Sequence, residues 1–393
     1  MQTTTLPPQS QSQAPLNTGL NSLAALWVAR VLLHAGGLRR FILSARGFYD
    51  TEVVYLLDLG HLAKGVHEDG EMEAVVRKRC QEIDSQPADS GIPLTQNILR
   101  LGDQLGLNEN ECQILAFMAV YELFVELKES LESVLPRYRG QLPRLLALVL
   151  NLRPEAVDKA LARDGKLSNA GLIEKGTKYR LMGRLDELEL LDGLADTLAG
   201  EFGQVDSLFE NYFSKSSPAT LNIADFAHVS TEVARLTRLL TGPQSSQRRG
   251  VNILLYGAPG VGKTELVKTL ASSLGRPLYE VGSADEDGDS VAGEKRFRCL
   301  RLCQYLLADN QDALILFDEV EDVLSPILAR ASLRRQSGKA WTNKQMENAS
   351  VPTFWLSNNV FGMDPAHLRR FDYVLNLTPP PRETRVRMFT QAC

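Results

Sequence analysis

Val251-Asn252-Ile253-Leu254-Leu255-Tyr256-Gly257-Ala258-Pro259-Gly260-Val261-Gly262-Lys263-Thr264-Glu265 is the stretch that decides the fold. Its apolar start, Val251–Tyr256, predicts a short buried strand, and the residues from Glu265 to about Leu274 predict a helix. Between them stands a glycine-rich turn in the context where backbone N–H groups converge on phosphate oxygens and a helix N-terminus adds its dipole. Lys263 brings a cation to the β/γ phosphates, and Thr264 offers a hydroxyl to Mg²⁺. The expected nucleotide contacts are Gly257, Ala258, Pro259, Gly260, Val261, Gly262, Lys263, Thr264 and Glu265. A chance glycine turn would not fill every fixed position between the correct flanks.

Working toward the C-terminus, Ala313–Phe317 predicts a second apolar strand, ending in Asp318-Glu319. Asp318 is placed to hold magnesium through water, and Glu319 to orient and polarise an attacking water. A third strand, Val351–Leu356, ends in Ser357-Asn358-Asn359. An amide at the tip of a neighbouring strand, Asn358, can hold a γ-phosphate or the lytic water in line, although a surface turn reads similarly. Asp364-Pro365-Ala366-His367-Leu368-Arg369-Arg370-Phe371-Asp372 then precedes a last strand, Tyr373–Leu377. Its arginines read either as a solvated basic patch or as a group that reaches the γ-phosphate of a neighbouring subunit.

In this order GAPGVGKT, LILFDE, FWLSNN and DPAHLRRFD resemble the Walker A, Walker B, sensor 1 and arginine-finger regions of AAA+ P-loop ATPases. The resemblance runs from about Leu221 to the C-terminus. LNIADFAHV, LYEVGSADEDGD, GKAWTNKQMENASVPTFW and LTPPPRETR are similar to a group of bacterial AAA proteins with a helical, winged-helix-like N-terminal half. The implied fold is α/β, a P-loop core with a parallel sheet and helices on both faces. The implied ligands are ATP and Mg²⁺, with Asp225–His228 near the adenine. Ring assembly, common in the family, would let Arg370, and less readily Arg369, act in trans.

Working toward the N-terminus, Met1–Asn17 is rich in Gln, Ser, Thr and Pro and reads as a disordered tail over 1–18. Helical spacing dominates 19–90, with Val53–Leu62 open to strand or helix, and Ser85–Ile92 marks a boundary. A helix follows from about Thr95, and Asn108 with Glu111 predicts a capping box opening another that runs to about Leu135. Leu142–Leu150 and Pro154–Ala162 predict two helices, and Leu167–Ile173 with Tyr179–Met182 a small hairpin. That order suggests a winged-helix-like domain over 91–215, ahead of an ATPase core at 216–393. Its second helix sets Glu155, Asp158 and Asp164 against Lys159 and Arg163, so protein contact is favoured over nucleic acid.

A net charge of −5 gives no general reason to expect nucleic acid. No apolar run suits a bilayer, and Met1 is not followed by a basic secretory start, so the expected place is the cytoplasm. Cys299 and Cys303 stand one helical turn apart without a third ligand nearby, and burial or partial exposure on a helix is expected rather than a metal. Ser283–Glu294 matches several positions of a calcium loop but lacks its first aspartate and follows a strand, Pro277–Val281, where that motif needs a helix. Ser290-Val291-Ala292-Gly293 has no aromatic residue of the kind that grips polypeptide in the pores of unfolding relatives. Relatives continue into a helical lid with a second arginine. This sequence stops at Cys393 within the helix leading there, so weak ATP binding and slow turnover are expected.

These features predict an AAA+ ATPase that remodels a macromolecular partner, engaged through the N-terminal helices. The alternatives are a nucleotide-binding interaction module with little hydrolysis and, less favoured, a DNA-handling ATPase.

Overall fold

The computed structural model describes residues 18–43, 47–48, 51–64, 69–86, 91–175, 188–201, 206–242, 251–282, 293–324, 343, 345–361, 363–382 and 385–386. The chain forms two compact units. One holds the described residues of Met1–Gly102, Asn108–Ala160 and Lys178–Glu201, and the other those of Asp103–Leu107, Leu161–Thr177 and Phe202–Cys393.

The first unit is mainly helical. Thr18–His34 buries Trp27, Val28, Val31 and Leu32, and Trp27 meets the edge of Phe117 with ring centroids 5.2 Å apart. Val53–Leu62, open between strand and helix in the sequence, begins as the helix Thr51–Leu56. The capping box at Asn108 and Glu111 is present: Glu111 N donates to Asn108 Oδ1 at 3.1 Å, and Asn108 N to Glu111 Oε2 at 2.8 Å. The helix it opens stops at Leu123 rather than near Leu135. Phe124 takes an extended conformation, and a second helix, Val125–Val134, starts beyond it. The break frees the Glu122 carbonyl, which accepts instead from Lys128 Nζ at 3.0 Å.

Leu142–Leu150 and Pro154–Ala160 are helices, followed by a turn at Lys166–Asn169 and strands at Ile173–Lys175 and Leu188–Leu190. Tyr179–Met182, the expected second arm of the hairpin, lies outside the described residues. The two units divide the chain elsewhere than at 90/91 and 215/216, because Asn169–Glu174 is tied to the second unit. Arg298 donates to the Gly171 and Leu172 carbonyls at 3.0 Å each, and Arg301 to Asn169 O at 3.3 Å and to the Glu174 carboxylate.

The second unit is built on a six-stranded sheet. In chain order its strands are β1 (Phe213–Lys215), β2 (Asn252–Tyr256), β3 (Leu278–Val281), β4 (Leu314–Phe317), β5 (Thr353–Ser357) and β6 (Tyr373–Asn376). Their spatial order is β6-β2-β5-β4-β3-β1. The first five in that order are parallel, in registers such as Tyr256↔Ser357 and Phe317↔Trp355. The edge strand β1 is antiparallel to β3, with Phe213 opposite Val281, and adds one antiparallel edge to the expected parallel sheet. Phe-Ser-Lys is too short and too polar to announce a strand, and β3 supplies its pairing partner.

Helices cover both faces, and side-chain alternation sorts them. Ile253, Leu255, Leu314, Leu316, Phe354 and Leu356 join one core with α1 (Ser230–Thr241) and α2 (Lys263–Ser273). Phe317 and Trp355 face the other way, where α3 (Gly293–Leu306) lays Arg296 on the Phe317 ring. Arg276 fastens the first core: it donates to Leu240 O at 3.1 Å, Asp312 O at 2.8 Å and Ala313 O at 3.1 Å, joining the end of α1 to the start of β4.

Candidate functional site

The strand order decides what the loops can reach. β5 lies between β2 and β4, so the carboxyl ends of these three strands open side by side, the usual place for a ligand in an open α/β sheet. The glycine turn leaves β2, the Asp318-Glu319 pair leaves β4, and Asn358 leaves β5.

In the turn, Gly260 and Gly262 have φ of +77° and +92°, the left-handed region that glycine adopts without strain. At Gly257 the constraint is space, since a Cβ there would run into the Leu377 carbonyl oxygen. Lys263 opens α2 and is buried, with 7% of its surface exposed. Its Nζ donates to Gly257 O at 2.8 Å, Ala258 O at 3.2 Å and Asn358 Oδ1 at 3.1 Å. Those three acceptors come from the β2 turn and the β5 tip, so one ammonium draws both loops together.

Thr264 Oγ1 donates to Asp318 Oδ2 at 3.3 Å. A hydroxyl and a carboxylate form a hard-oxygen donor set that suits magnesium, which commonly takes few protein ligands and completes its shell from phosphates and water. The other carboxylate oxygen of Asp318 accepts from Glu319 N at 2.8 Å. Glu319 itself has φ +51°, a left-handed conformation that costs an L-residue about 1–2 kcal/mol. Glu265 faces elsewhere: Oε1 accepts from Thr220 Oγ1 at 2.9 Å and from Leu221 N at 2.8 Å, holding the segment ahead of the turn rather than the turn itself.

That segment includes Ile223–Val229, opened by a capping box between Asn222 and Asp225. Phe226 is buried in the core beneath Gly262. The His228 ring stacks on Phe226 at 6.3 Å, and burial pushes its pKa below the ordinary value against the opposing pull of the Asp225 backbone. Arg369 and Arg370 are both exposed, and Arg370 forms an ion pair with Glu347 of the same chain.

Two residues near the strand ends escaped the sequence reading. Glu321 accepts from Asn358 N at 3.1 Å through Oε1, while its Oε2 is buried without a hydrogen-bond partner. The signal for it was the acid-rich run Asp318–Asp322. Arg296, 1% exposed, meets the backbone of the Asp318-Glu319 pair, and nothing in GEKRFRCLRLC marks it apart from its neighbours. A cavity of about 810 Å³ lies on the Trp355 side of the sheet, with Arg301, Gln304 and Tyr305 in its wall, and none of the expected site residues lines it.

The two cysteines a helical turn apart are buried rather than partly exposed. Cys303 is fully enclosed and Cys299 nearly so, and burial pushes the Cys299 thiol up to about 11. No group of three or more His, Cys, Asp or Glu side chains gathers for a metal among the described residues. The calcium-loop match at 283–292 and Ser290–Ala292 of the pore-loop comparison lie outside them. No helix of the described residues is long and apolar enough to cross a membrane.

Comparison with known proteins points the same way as the site. Residues 253–379 match the family model of the ATPase family associated with various cellular activities, AAA. The chain is 25% identical over 198 residues to the probable inactive ATP-dependent zinc metalloprotease FTSHI 4, chloroplastic, of Arabidopsis thaliana, covering 44% of this chain and 22% of that protein. It is 28% identical over 176 residues to the nuclear valosin-containing protein-like protein of Mus musculus, covering 41% and 20%. It is also 28% identical over 190 residues to the ATP-dependent zinc metalloprotease FtsH of Ralstonia pickettii (strain 12J), covering 44% and 26%. The chain thus spans about a fifth to a quarter of the length of these relatives. With the motif-bearing strands in place and residues 253–379 matching the family, the chain carries an AAA domain of the AAA+ P-loop ATPase class.

Proposed function

We propose that this chain binds Mg·ATP at Gly257–Thr264 and hydrolyses it, using the energy to remodel a macromolecular partner. The observation that carries the reading is the reach of Lys263 Nζ, which meets the carbonyls of the glycine turn and the Asn358 amide at once. A γ-phosphate drawn to that ammonium would meet Asn358 on one side and the Thr264–Asp318 pair on the other. Thr264 and Asp318 are the residues that would hold Mg²⁺, which when bound neutralises charge on the β and γ oxygens. Glu319 is the general base, at the end of the strand next to that of Asn358. Arg370 is assigned to the γ-phosphate of a neighbouring subunit in a ring. Asp225–His228 is assigned to the base, and the N-terminal helices to a protein partner in the cytoplasm.

A reading with nucleotide binding but little turnover draws on the relative whose name carries the word inactive and on the Arg370–Glu347 pair within one chain. One experiment separates the two. Lys263→Ala should abolish ATP binding in calorimetry, since the phosphates lose the cation this motif supplies. Glu319→Gln should retain Mg·ATP and lose turnover, because the amide keeps the shape but cannot polarise water. Equal affinity in Lys263→Ala and parent refutes the nucleotide site. A parent as inactive as Glu319→Gln supports binding without turnover, whereas a Glu319→Gln variant that hydrolyses ATP at the rate of an active parent removes Glu319 as the base.

A further inference from the structure

Glu319 stands in a backbone conformation that an L-residue holds only when its surroundings over-determine it. Neighbouring groups supply that constraint. Its own N–H goes to the Asp318 carboxylate. The two carbonyls that flank it, Asp318 O and Glu319 O, both accept from a single guanidinium, that of Arg296, the second of them at 3.5 Å. The same guanidinium lies 4.7 Å from the centroid of the Phe317 ring, the residue just before the pair. Its Nε reaches Gly282 O, at the end of β3, at 3.4 Å.

We propose that Arg296 is the positioning residue of the catalytic base: from the first turn of α3 it fixes the turn that aims Glu319, without touching nucleotide. The proposal rests on the reading of Glu319 as the base. The chemistry favours arginine for the task. A planar fork can donate to several carbonyls while stacking on a ring, whereas a lysine ammonium in the same place reaches fewer acceptors and does not stack as a plane. Because Asp318 and Glu319 share this clamp with the end of β3, Arg296 also couples two neighbouring strand ends into one rigid rim.

Arg298 supplies the control. It sits two residues on in the same helix, is buried with 7% exposure, and also donates to two backbone carbonyls, but to Gly171 and Leu172, away from the Asp318-Glu319 pair. A purely structural role for buried arginines of α3 would make both substitutions behave alike.

The test compares the 393-residue parent with Arg296→Lys, Arg298→Lys and Glu319→Gln in three measurements. These are single-turnover hydrolysis at saturating Mg·ATP, ATP affinity by calorimetry, and amide hydrogen exchange over residues 314–321. In Arg296→Lys, hydrolysis should fall by roughly 10- to 100-fold, as expected when a catalytic group is displaced by a fraction of an ångström to one ångström. ATP affinity should stay within about threefold of the parent, since the loss falls on the transition state alone. Residues 314–321 should exchange faster in this variant and not in Arg298→Lys. Phe317→Leu, which removes only the ring beneath the guanidinium, should lower hydrolysis by roughly 3- to 10-fold and serves if Arg296→Lys does not fold. Parent-like hydrolysis and exchange in Arg296→Lys overturn the proposal, as does an Arg298→Lys variant that reproduces both losses. If parent and Glu319→Gln are equally inactive, the hydrolysis reading falls, and unchanged exchange in Arg296→Lys would then refute the clamp as well.

Discussion

Gly257 and Gly260 sit in the same turn and are glycine for different reasons. Gly260 has φ +77° with nothing within 4 Å of an added Cβ, so alanine there costs backbone strain alone, about 1–2 kcal/mol. Gly257 has no room, because its Cβ would meet the Leu377 carbonyl and Val261 Cγ2, both parts of the packed interior. Gly257→Ala is therefore expected to lose about 1–3 kcal/mol through overpacking and to displace the turn that supplies two of the three acceptors of Lys263. Gly260→Ala should leave ATP affinity closer to the parent. Urea denaturation with parallel calorimetry checks both, and a Gly260→Ala variant that binds worse than Gly257→Ala refutes the steric account. The turn residues were legible in the sequence because glycine, lysine and threonine at those spacings have few other uses. Arg296 was not, since buried and solvated arginines look identical until a partner carbonyl is known. Glu265 shows the converse: its place in the run suggested a nucleotide contact, while its carboxylate holds Leu221 N.

Among the described helices, the one opened by Asn108 is secured by a local cap whose effect can be isolated. Asn108 and Glu111 satisfy each other's backbone N–H at the start of Glu109–Leu123, the helix that carries Phe117 against Trp27. Removing the cap in Asn108→Ala should destabilise the helical unit by about 1 kcal/mol, seen as a lower urea midpoint by circular dichroism. An unchanged midpoint would mean the helix start is held by packing alone. This cap was readable because its signal is two residue types at a fixed spacing. The interruption at Phe124 was not, for apolar residues continue in helical phase across it, from Val120 before it to Leu127, Leu131 and Val134 beyond. The strands β2, β4 and β5 were each foreseen to within a residue or two, because strands buried on both faces are continuous apolar runs. β1 carries no such run, and only its partner β3 makes it a strand. The helix α3 works at opposite ends of the strands: Arg296 holds the carboxyl end of β4, beside the site, and Gln304 accepts from Ser350 N and Val351 N at 3.0 and 2.9 Å, fixing the approach to the amino end of β5. Its role was hidden in the sequence by a run of charges that reads as a solvated face.

Lys263, Thr264, Asp318, Glu319 and Asn358 all stand at the ends of β2, β4 and β5, yet the arginine expected at the γ-phosphate is exposed and paired with Glu347. Whether one chain completes its own site turns on that arginine. Both members of the pair are close to half exposed, at 43% and 46% of their side-chain surface. An ion pair so open to water contributes only about 0–1 kcal/mol, which is small beside what an arginine adds at a transferring phosphoryl group, on the order of 10³-fold or more in rate. A γ-phosphate presented by a neighbouring chain would therefore outcompete Glu347 for Arg370. Turnover per chain should then rise with protein concentration until assembly is complete. Arg370→Ala should flatten that rise, and Glu347→Gln should leave it intact or steepen it, because the competing carboxylate is gone. Arg369→Ala, altering the adjacent exposed arginine, should have the smaller effect. The check is a turnover series across protein concentrations at fixed saturating Mg·ATP, run beside sedimentation velocity on the same samples. Turnover per chain that is independent of concentration and unaffected by Arg370→Ala would leave Arg370 a surface residue paired with Glu347, and hydrolysis would then have to be carried by the groups of a single chain.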